Sequence, residues 1–215
     1  PFHRSQAIMG AIRTAPDPDT PEYLPYVAQT IRDLHVTFGK NILVLLTANA
    51  ALSAIYQMLR TMPDIDRQNV LAQNISGGRH ALLEQFKEQS RMILLGTDSF
   101  WEGIDVPGNA CEIVVIPRLP FPVPSHPLVQ AIAEKMTAEH GESFMSYAIP
   151  EAVIRFRQGC GRLIRTSRDR GALVVLDNRI VNKSYGKQFI RSLDTDFQTF
   201  DDRAAMIAAV TSFFS

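Results

Sequence analysis

Four short runs of consecutive aliphatic residues constrain this chain more than any other feature: Ile42–Leu46, Met92–Leu95, Ile113–Ile116 and Ala172–Leu176. A strand with one wet face alternates apolar and polar residues, whereas an uninterrupted aliphatic run fits a strand covered on both faces. Between these runs lie segments with helical spacing, at 22–38, 48–60, 78–89, 127–140, 143–165, 184–192 and 201–214. Gly39 stops the first of them, and Pro150 interrupts or kinks the fifth. Asn69–Ile75 reads as one more strand. No strand is assigned before residue 42, and Pro16, Pro18, Pro21 and Pro25 mark an extended lead-in. Buried strands alternating with helices predict an α/β fold, a mostly parallel sheet with helices on both faces. Ligands of such sheets gather at the carboxyl ends of the strands. The informative loops are therefore those after Leu46, Leu95, Ile116 and Leu176.

Composition sets the limits. With 215 residues and 46% apolar content, the chain can bury one fair-sized core. Its 22 basic and 22 acidic residues cancel, so any attraction to nucleic acid must be local. The two cysteines, Cys111 and Cys160, are too few and too far apart for a disulfide framework or a zinc site, and no metal ligand set is expected. Reduced thiols and a cytoplasmic setting are the expectation. No apolar run reaches the roughly 18 residues of a membrane span, so no membrane contact is expected. The opening Pro1-Phe2-His3-Arg4 has neither an initiator Met nor a signal-peptide layout, and the chain is expected to begin inside a longer protein.

A phosphate cradle is missing. A glycine-rich loop ending in Lys and Ser/Thr would serve ATP and magnesium. Here Gly39-Lys40 runs into Asn41, Gly186-Lys187 runs into Gln188, and Gly159-Cys160-Gly161 follows no strand. This segment is not expected to hydrolyse ATP unaided.

Positive charge is concentrated in one place. Residues 155–170 hold six arginines and one acid, Asp169. On a continuous helix Arg155, Gln158, Arg162 and Arg165 fall on one face. Gly159 and Gly161 flank that face, at about 0.5–1 kcal/mol each relative to Ala. Their presence predicts close approach of another backbone or a ligand. Arginine suits phosphate oxygens because its planar fork is permanently charged and binds in two places. A merely solvated cationic face is the plain alternative.

Two further loops carry chemistry. Gly96-Thr97-Asp98-Ser99-Phe100-Trp101-Glu102-Gly103-Ile104-Asp105 leaves a buried strand directly. Thr47-Ala48-Asn49 follows another and opens a helix, whose free N–H groups attract phosphate. There Asn49 is either a phosphate contact or a helix cap. The stretch Ile116–Pro127 is rich in proline, which pre-orders a loop. Arg118 within it is suited to a DNA backbone, to a partner domain, or to a local salt bridge.

Taken together these motifs resemble a known family. Gln158-Gly-Cys-Gly161-Arg162-Leu-Ile-Arg165, with Asp169-Arg170-Gly171 and Asp177-Asn178-Arg179, is similar to motif VI of superfamily 2 helicases, the DinG and XPD branch in particular. Phe100-Trp-Glu-Gly-Ile-Asp105 resembles motif V of that branch, and Thr47-Ala-Asn49 resembles motif IV. The resemblance covers about residues 42–190. It implies a RecA-like second motor domain over 41–215, preceded at 1–40 by a lead-in and its first helix. The whole enzyme would be an ATP-dependent DNA helicase moving 5′ to 3′ on single-stranded DNA with Mg²⁺. ATP would lie between this domain and a first RecA-like domain of the same polypeptide. Carried over, Arg162 and Arg165 reach the ATP phosphates, with Arg165 the preferred finger and Gln158 in support. Gly103 and Asp105 fall on the nucleotide side, and Glu102 couples the two sites. Thr47, Asn49, Gly96, Thr97 and Arg118 fall on the DNA side, and Trp101 is a core filler before it is a base-stacking platform. Relatives often hold an iron–sulfur cluster on four cysteines of the first domain; two cysteines cannot hold one in this segment. The rival expectations are a degenerate helicase-like domain that docks nucleic acid or protein, and a self-contained nucleotide-binding domain.

Overall fold

The computed structural model describes residues 6–101, 110–163, 169–193 and 195–215. In chain order the elements are β1 (Ala7–Ile12), α1 (Tyr23–Phe38), β2 (Ile42–Leu45), α2 (Asn49–Thr61), β3 (Val70–Ala72), α3 (Arg79–Glu88), β4 (Ile93–Gly96), α4 (Asp98–Trp101), β5 (Ile113–Ile116), α5 (Pro127–His140), α6 (Ile149–Cys160), β6 (Gly171–Val175), α7 (Arg179–Asn182), α8 (Gly186–Arg191), β7 (Gln198–Phe200) and α9 (Arg203–Phe214). The described strands form one seven-stranded parallel sheet in the order β3-β4-β2-β5-β6-β1-β7.

The aliphatic runs work as their pattern requires. Ile42, Val44 and Leu46 join the core beneath α1, α2 and α9, while Leu43 and Leu45 join the opposite core beneath α3, α6 and α8. Ile113/Val115 against Val114/Ile116, and Ala172/Val174 against Leu173/Val175, divide the same way. Each strand residue thus leaves water on one side or the other, and a fully buried Val, Leu or Ile contributes about 1.5–3 kcal/mol of transfer free energy. A buried asparagine locks the amino edge. Asn41 donates to the carbonyls of Phe86, Gln89 and Ala110 at 2.9–3.1 Å and accepts from the Met92 amide at 2.8 Å.

Four differences from the sequence reading stand out. First, residues 7–12 form a strand, β1, inserted between β6 and β7, where only a lead-in was expected. Gly10 sits in its middle because a Cβ there would meet the Phe200 ring at 2.4 Å. Second, the strand expected over Asn69–Ile75 is only Val70–Ala72. Third, the helix expected over 143–165 is split. Its first turn is a π segment, Phe144–Ala148, and α6 begins at Ile149, with Pro150 in the first turn, where its missing N–H costs nothing. Fourth, α6 stops at Cys160. The amides of Arg162 and Leu163 then bond three residues back, to Gly159 and Cys160 at 3.1 Å, so the chain tightens into a turn. Arg162 therefore lies beyond the helix, not on a face shared with Arg155 and Gln158.

Candidate functional site

The carboxyl ends of β2, β4, β5 and β6 and the loops leaving them build the candidate site. Its floor is an open cleft of about 810 Å³ whose lining includes Leu46, Thr47, Pro117, Phe121, Phe144 and Tyr185. Phe121 stacks on Phe144 with ring centroids 5.6 Å apart, and Tyr185 meets both rings edge-on at 5.5–5.7 Å. Such tilted and offset pairs suit the ring quadrupole. The cleft is mainly apolar, with polar groups at its rim.

One rim is fixed by Asp177, which has no solvent exposure. Its carboxylate accepts from Arg179 Nε at 2.8 Å, from Arg179 Nη2 at 2.6 Å and from the Leu119 amide at 2.9 Å. The last bond ties the proline-rich segment to the end of β6. The Arg179 guanidinium lies 5.6 Å from the centre of the Phe121 ring, a cation–π contact at the cleft wall. Tyr23, at the start of α1, donates its hydroxyl to the Pro117 carbonyl. Burial, with Asp177 nearby, pushes that phenol far above the ordinary tyrosine range. Arg179 is a wall residue of this cleft that the sequence motif contains without marking it as one. Its signal was there, an arginine two residues after an acid at a strand end.

Arg118 projects from the same loop and pairs with Asp19 at 2.7 Å, with 41% of its side chain exposed. Of the readings open for it, the local salt bridge is present. Thr47 lines the cleft, and α2 starts at Asn49 with no side-chain cap, so its first amides keep no intrahelical partner. Asn49 is not the cap. Its carboxamide oxygen accepts from the Thr97 hydroxyl at 3.2 Å.

Two residues expected on the DNA side are tied into this packing. Thr97 is 3% exposed, with its hydroxyl on Asn49 and Gln73 and its amide on Gln73 Oε1 at 2.8 Å. It braces the start of α2 and the end of β3. Gly96 is a glycine because a Cβ would meet the Phe100 side chain at 2.4 Å, and its carbonyl accepts from the Leu46 amide. The same logic answers the α6 glycines. A Cβ on Gly159 would stand 2.8 Å from Trp101 Cζ3, whereas one on Gly161 would meet only ordinary contacts at 3.4–3.5 Å. Close approach is real at Gly159, to an indole, while among the described residues Gly161 shows none.

On the arginine side, Gln158 is exposed on the last turn of α6. Arg162 donates from Nη2 to the Trp101 carbonyl at 2.9 Å. Trp101 is fully buried at the end of α4, and its Nε1 donates to the Leu46 carbonyl at 2.8 Å, just past β2. The Arg162 head is therefore drawn to the carboxyl edge of the sheet. Arg165, Glu102, Gly103 and Asp105 lie outside the described residues. Among the described residues no group of three or more His, Cys, Asp or Glu side chains could hold a metal ion, and both cysteines are buried and outside any disulfide. No helix among them is long and apolar enough to cross a membrane.

Comparison with known proteins bears on the family and the fold. The family model described as helicase C-terminal domain matches residues 31–196. Among curated proteins, "3′-5′ exonuclease DinG" of Bacillus subtilis is 38% identical over 86% of this chain and 20% of its own length. "ATP-dependent DNA helicase YoaA" of Haemophilus influenzae is 38% identical over 84% of this chain and 29% of its own. The Escherichia coli protein of the same name is 35% identical over 99% and 33%. The chain thus spans about a fifth to a third of these relatives. Among solved structures, S. tokodaii Xpd4 superposes with a TM-score of 0.67 at 16% identity, over 91% of this chain and 38% of that one. An XPD helicase gives 0.69 at 16% over 91% and 36%, and S. cerevisiae Dbp5 bound to RNA and ADP BeF3 gives 0.56 at 14% over 99% and 46%. These likenesses establish the RecA-like fold.

Proposed function

This chain belongs to the helicase C-terminal domain family, and from that premise we propose that it serves as the second motor domain of an ATP-dependent DNA helicase that moves 5′ to 3′ on single-stranded DNA. ATP and Mg²⁺ bind between it and a first RecA-like domain of the same polypeptide. That domain supplies the phosphate cradle this sequence lacks. Arg162 and Arg165, with Gln158 beside them, supply positive charge to the transferring phosphoryl group. Gly103 and Asp105 line the nucleotide, and Glu102 relays its state.

The observation that carries the nucleotide half is the bond from Arg162 to the Trp101 carbonyl. It holds a permanent cation at the sheet edge where ligands of such folds collect, instead of letting it drift into solvent. The strand track is assigned to the cleft rim. Thr47, the uncapped start of α2 at Asn49, and Arg118 offer groups to phosphates. The Phe121–Phe144–Tyr185 wall offers bases a stacking surface.

The decisive experiment is kinetic. In the polypeptide carrying both motor domains, Arg165→Ala and Arg162→Ala should keep ATP affinity and lower turnover on the order of 10³-fold or more. Unchanged turnover rejects the finger assignment. Calorimetric titration of the 215-residue chain with ATP and Mg²⁺ should give no tight binding; tight binding would identify a self-contained nucleotide site. Turnover lost in the natural enzyme altogether, with DNA binding kept, would leave a docking module.

A further inference from the structure

The segment between β5 and α6 builds a lobe that belongs to neither core. Its helix α5 is well specified. Pro127 opens the first turn, and Gly141 stops the last, with a φ of 79° that suits glycine and an amide bonded to the Thr137 carbonyl at 2.9 Å. Leu128, Val129, Ile132 and Met136 recur at helical spacing and share one side of it. Yet none of the four is buried among the described residues or joins either apolar cluster, and α5 rests chiefly on the π segment Phe144–Ala148. Leu128 is 64% exposed, more than any other large apolar residue described, and Met145 on the π segment is 46% exposed. Val123 and Phe144, also exposed, line the cleft, so the lobe runs on into its rim. A 14-residue helix is marginal in water without a packed face. Large apolar side chains gathered in one exposed lobe mark an interaction surface.

Charge narrows the choice of partner. Over residues 127–148 Lys135 stands against Glu134, Glu139 and Glu142, so the lobe is acidic at neutral pH. An acidic apolar surface repels a DNA strand, whose phosphates call for Lys and Arg. It also repels its own copy, because a two-fold contact sets like patches together. What it fits is an apolar face with a basic rim. Position then selects the bearer of that face. The lobe follows the loop that leaves the carboxyl end of β5, the edge where the motor reading seats the first RecA-like domain. This chain spans 20–33% of its curated relatives, and a partner tethered in the same polypeptide acts at high effective concentration, so a few side chains suffice. We infer that α5 and the π segment form the docking surface for the first RecA-like domain, which lays a basic-rimmed apolar face on Leu128 and Met145. The inference rests on the two-domain reading above and adds the surface by which the domains meet.

Hydrogen exchange on the polypeptide carrying both motor domains tests this. Leu128→Glu with Met145→Glu puts charge on the lobe without touching a residue assigned to ATP or to the strand. The α5 amides should exchange about tenfold faster in this double variant than in the parent, with β2 and β5 amides unchanged. Carbodiimide, which joins carboxylates to neighbouring lysines and needs no substitution, should couple Glu134, Glu139 or Glu142 of the unaltered polypeptide to a lysine of the first domain. Equal α5 exchange in parent and variant overturns the inference. So does a variant in which β2 and β5 open as well, because Leu128 and Met145 then serve the fold of this domain. Coupling to Lys135 alone, which lies 3.9 Å from Glu139, also rejects it. Protection of α5 that appears only at raised protein concentration assigns the lobe to a second copy, and protection that appears only with oligothymidylate assigns it to the strand; either result overturns the docking. The motor reading is judged apart, by ATP turnover. A polypeptide that turns over no ATP but protects α5 and couples it to the first domain loses the motor and keeps the docking surface.

Discussion

Asp177 holds the Arg179 guanidinium by two hydrogen bonds, at 2.6 and 2.8 Å, from a position where the carboxylate has no solvent exposure. The same carboxylate fixes the Leu119 amide, so one acid at the end of β6 sets both the cation under Phe121 and the path of the proline-rich segment. Removing one partner of a buried pair strands the other charge, which costs about 3–5 kcal/mol. Arg179→Ala and Asp177→Ala should each lower unfolding free energy by that amount in urea. The double substitution should cost clearly less than the sum. Strict additivity would show that the two groups do not support each other.

Asn41 offers a sharper packing test. Its side chain satisfies three carbonyls and one amide belonging to the α3 end, the β4 start and the β5 approach. Asn41→Leu is close in size but leaves those four backbone groups without this partner. At about 1–3 kcal/mol for each stranded buried group, the loss should exceed 3 kcal/mol. Equilibrium denaturation measures it. A loss below 1 kcal/mol would mean that water takes over the role.

His35 predicts a pH dependence. It is buried in the last turn of α1, and its Nδ1 has no hydrogen-bond partner among the described residues. Burial first, and then the Arg91 charge, lower its pKa below the ordinary histidine value. The sign follows from proton uptake. Below the usual value of about 6.5 the unfolded chain binds a proton that the folded chain resists, so stability falls as pH drops. Above that value the contribution is complete. Melting temperatures between pH 7.5 and 5 should decline, and His35→Phe should flatten the part of the decline that belongs to this group. An identical slope in the variant would assign the decline to carboxylates.

The legible part of the fold was the part whose pattern had one physical cause. Uninterrupted aliphatic runs at 42–46, 92–95, 113–116 and 172–176 mean burial on both faces, and those strands are where the pattern puts them. β1 was illegible because Ala7-Ile-Met-Gly-Ala-Ile12 carries two alanines and a glycine, which weaken the strand signal, and its glycine answers to Phe200 at the far end of the chain. β7, at three residues with two exposed, has almost no pattern to read. In the candidate site, charge and position point to the arginine and cleft loops. The packing of Thr97 and Gly96 is not legible in the sequence, because whether a hydroxyl or a missing Cβ faces solvent or a neighbour depends on Gln73, Asn49 and Phe100, which come together only in the folded sheet edge.

Gly10 can be tested directly. Replacing it with Ala drives a methyl group to 2.4 Å from the Phe200 ring and 2.7 Å from the Gln198 carbonyl. Overpacking of this kind costs about 1–3 kcal/mol. The strain falls on β7, the edge strand paired only to β1. Hydrogen exchange should therefore rise at the β7 and α9 amides well before it rises in β2 or β5. Uniform exchange across the sheet would show that β7 unfolds only with the whole domain.

Arg118 gives the prediction that separates the strand track from the core. In the free chain it is paired with Asp19 across an exposed rim, an arrangement worth about 0–1 kcal/mol and easily exchanged for a phosphate. If a strand crosses the cleft there, Arg118→Ala should weaken oligothymidylate binding while leaving the melting temperature unchanged. It should also make the slope of log affinity against log salt shallower by about 0.7, the share of one phosphate contact on a single strand. Asp19→Asn removes the competing carboxylate and should shift affinity the other way. Fluorescence anisotropy of a labelled oligothymidylate over a salt series reads all three. An Arg118→Ala protein whose affinity and salt slope both match the parent places the strand elsewhere on this domain.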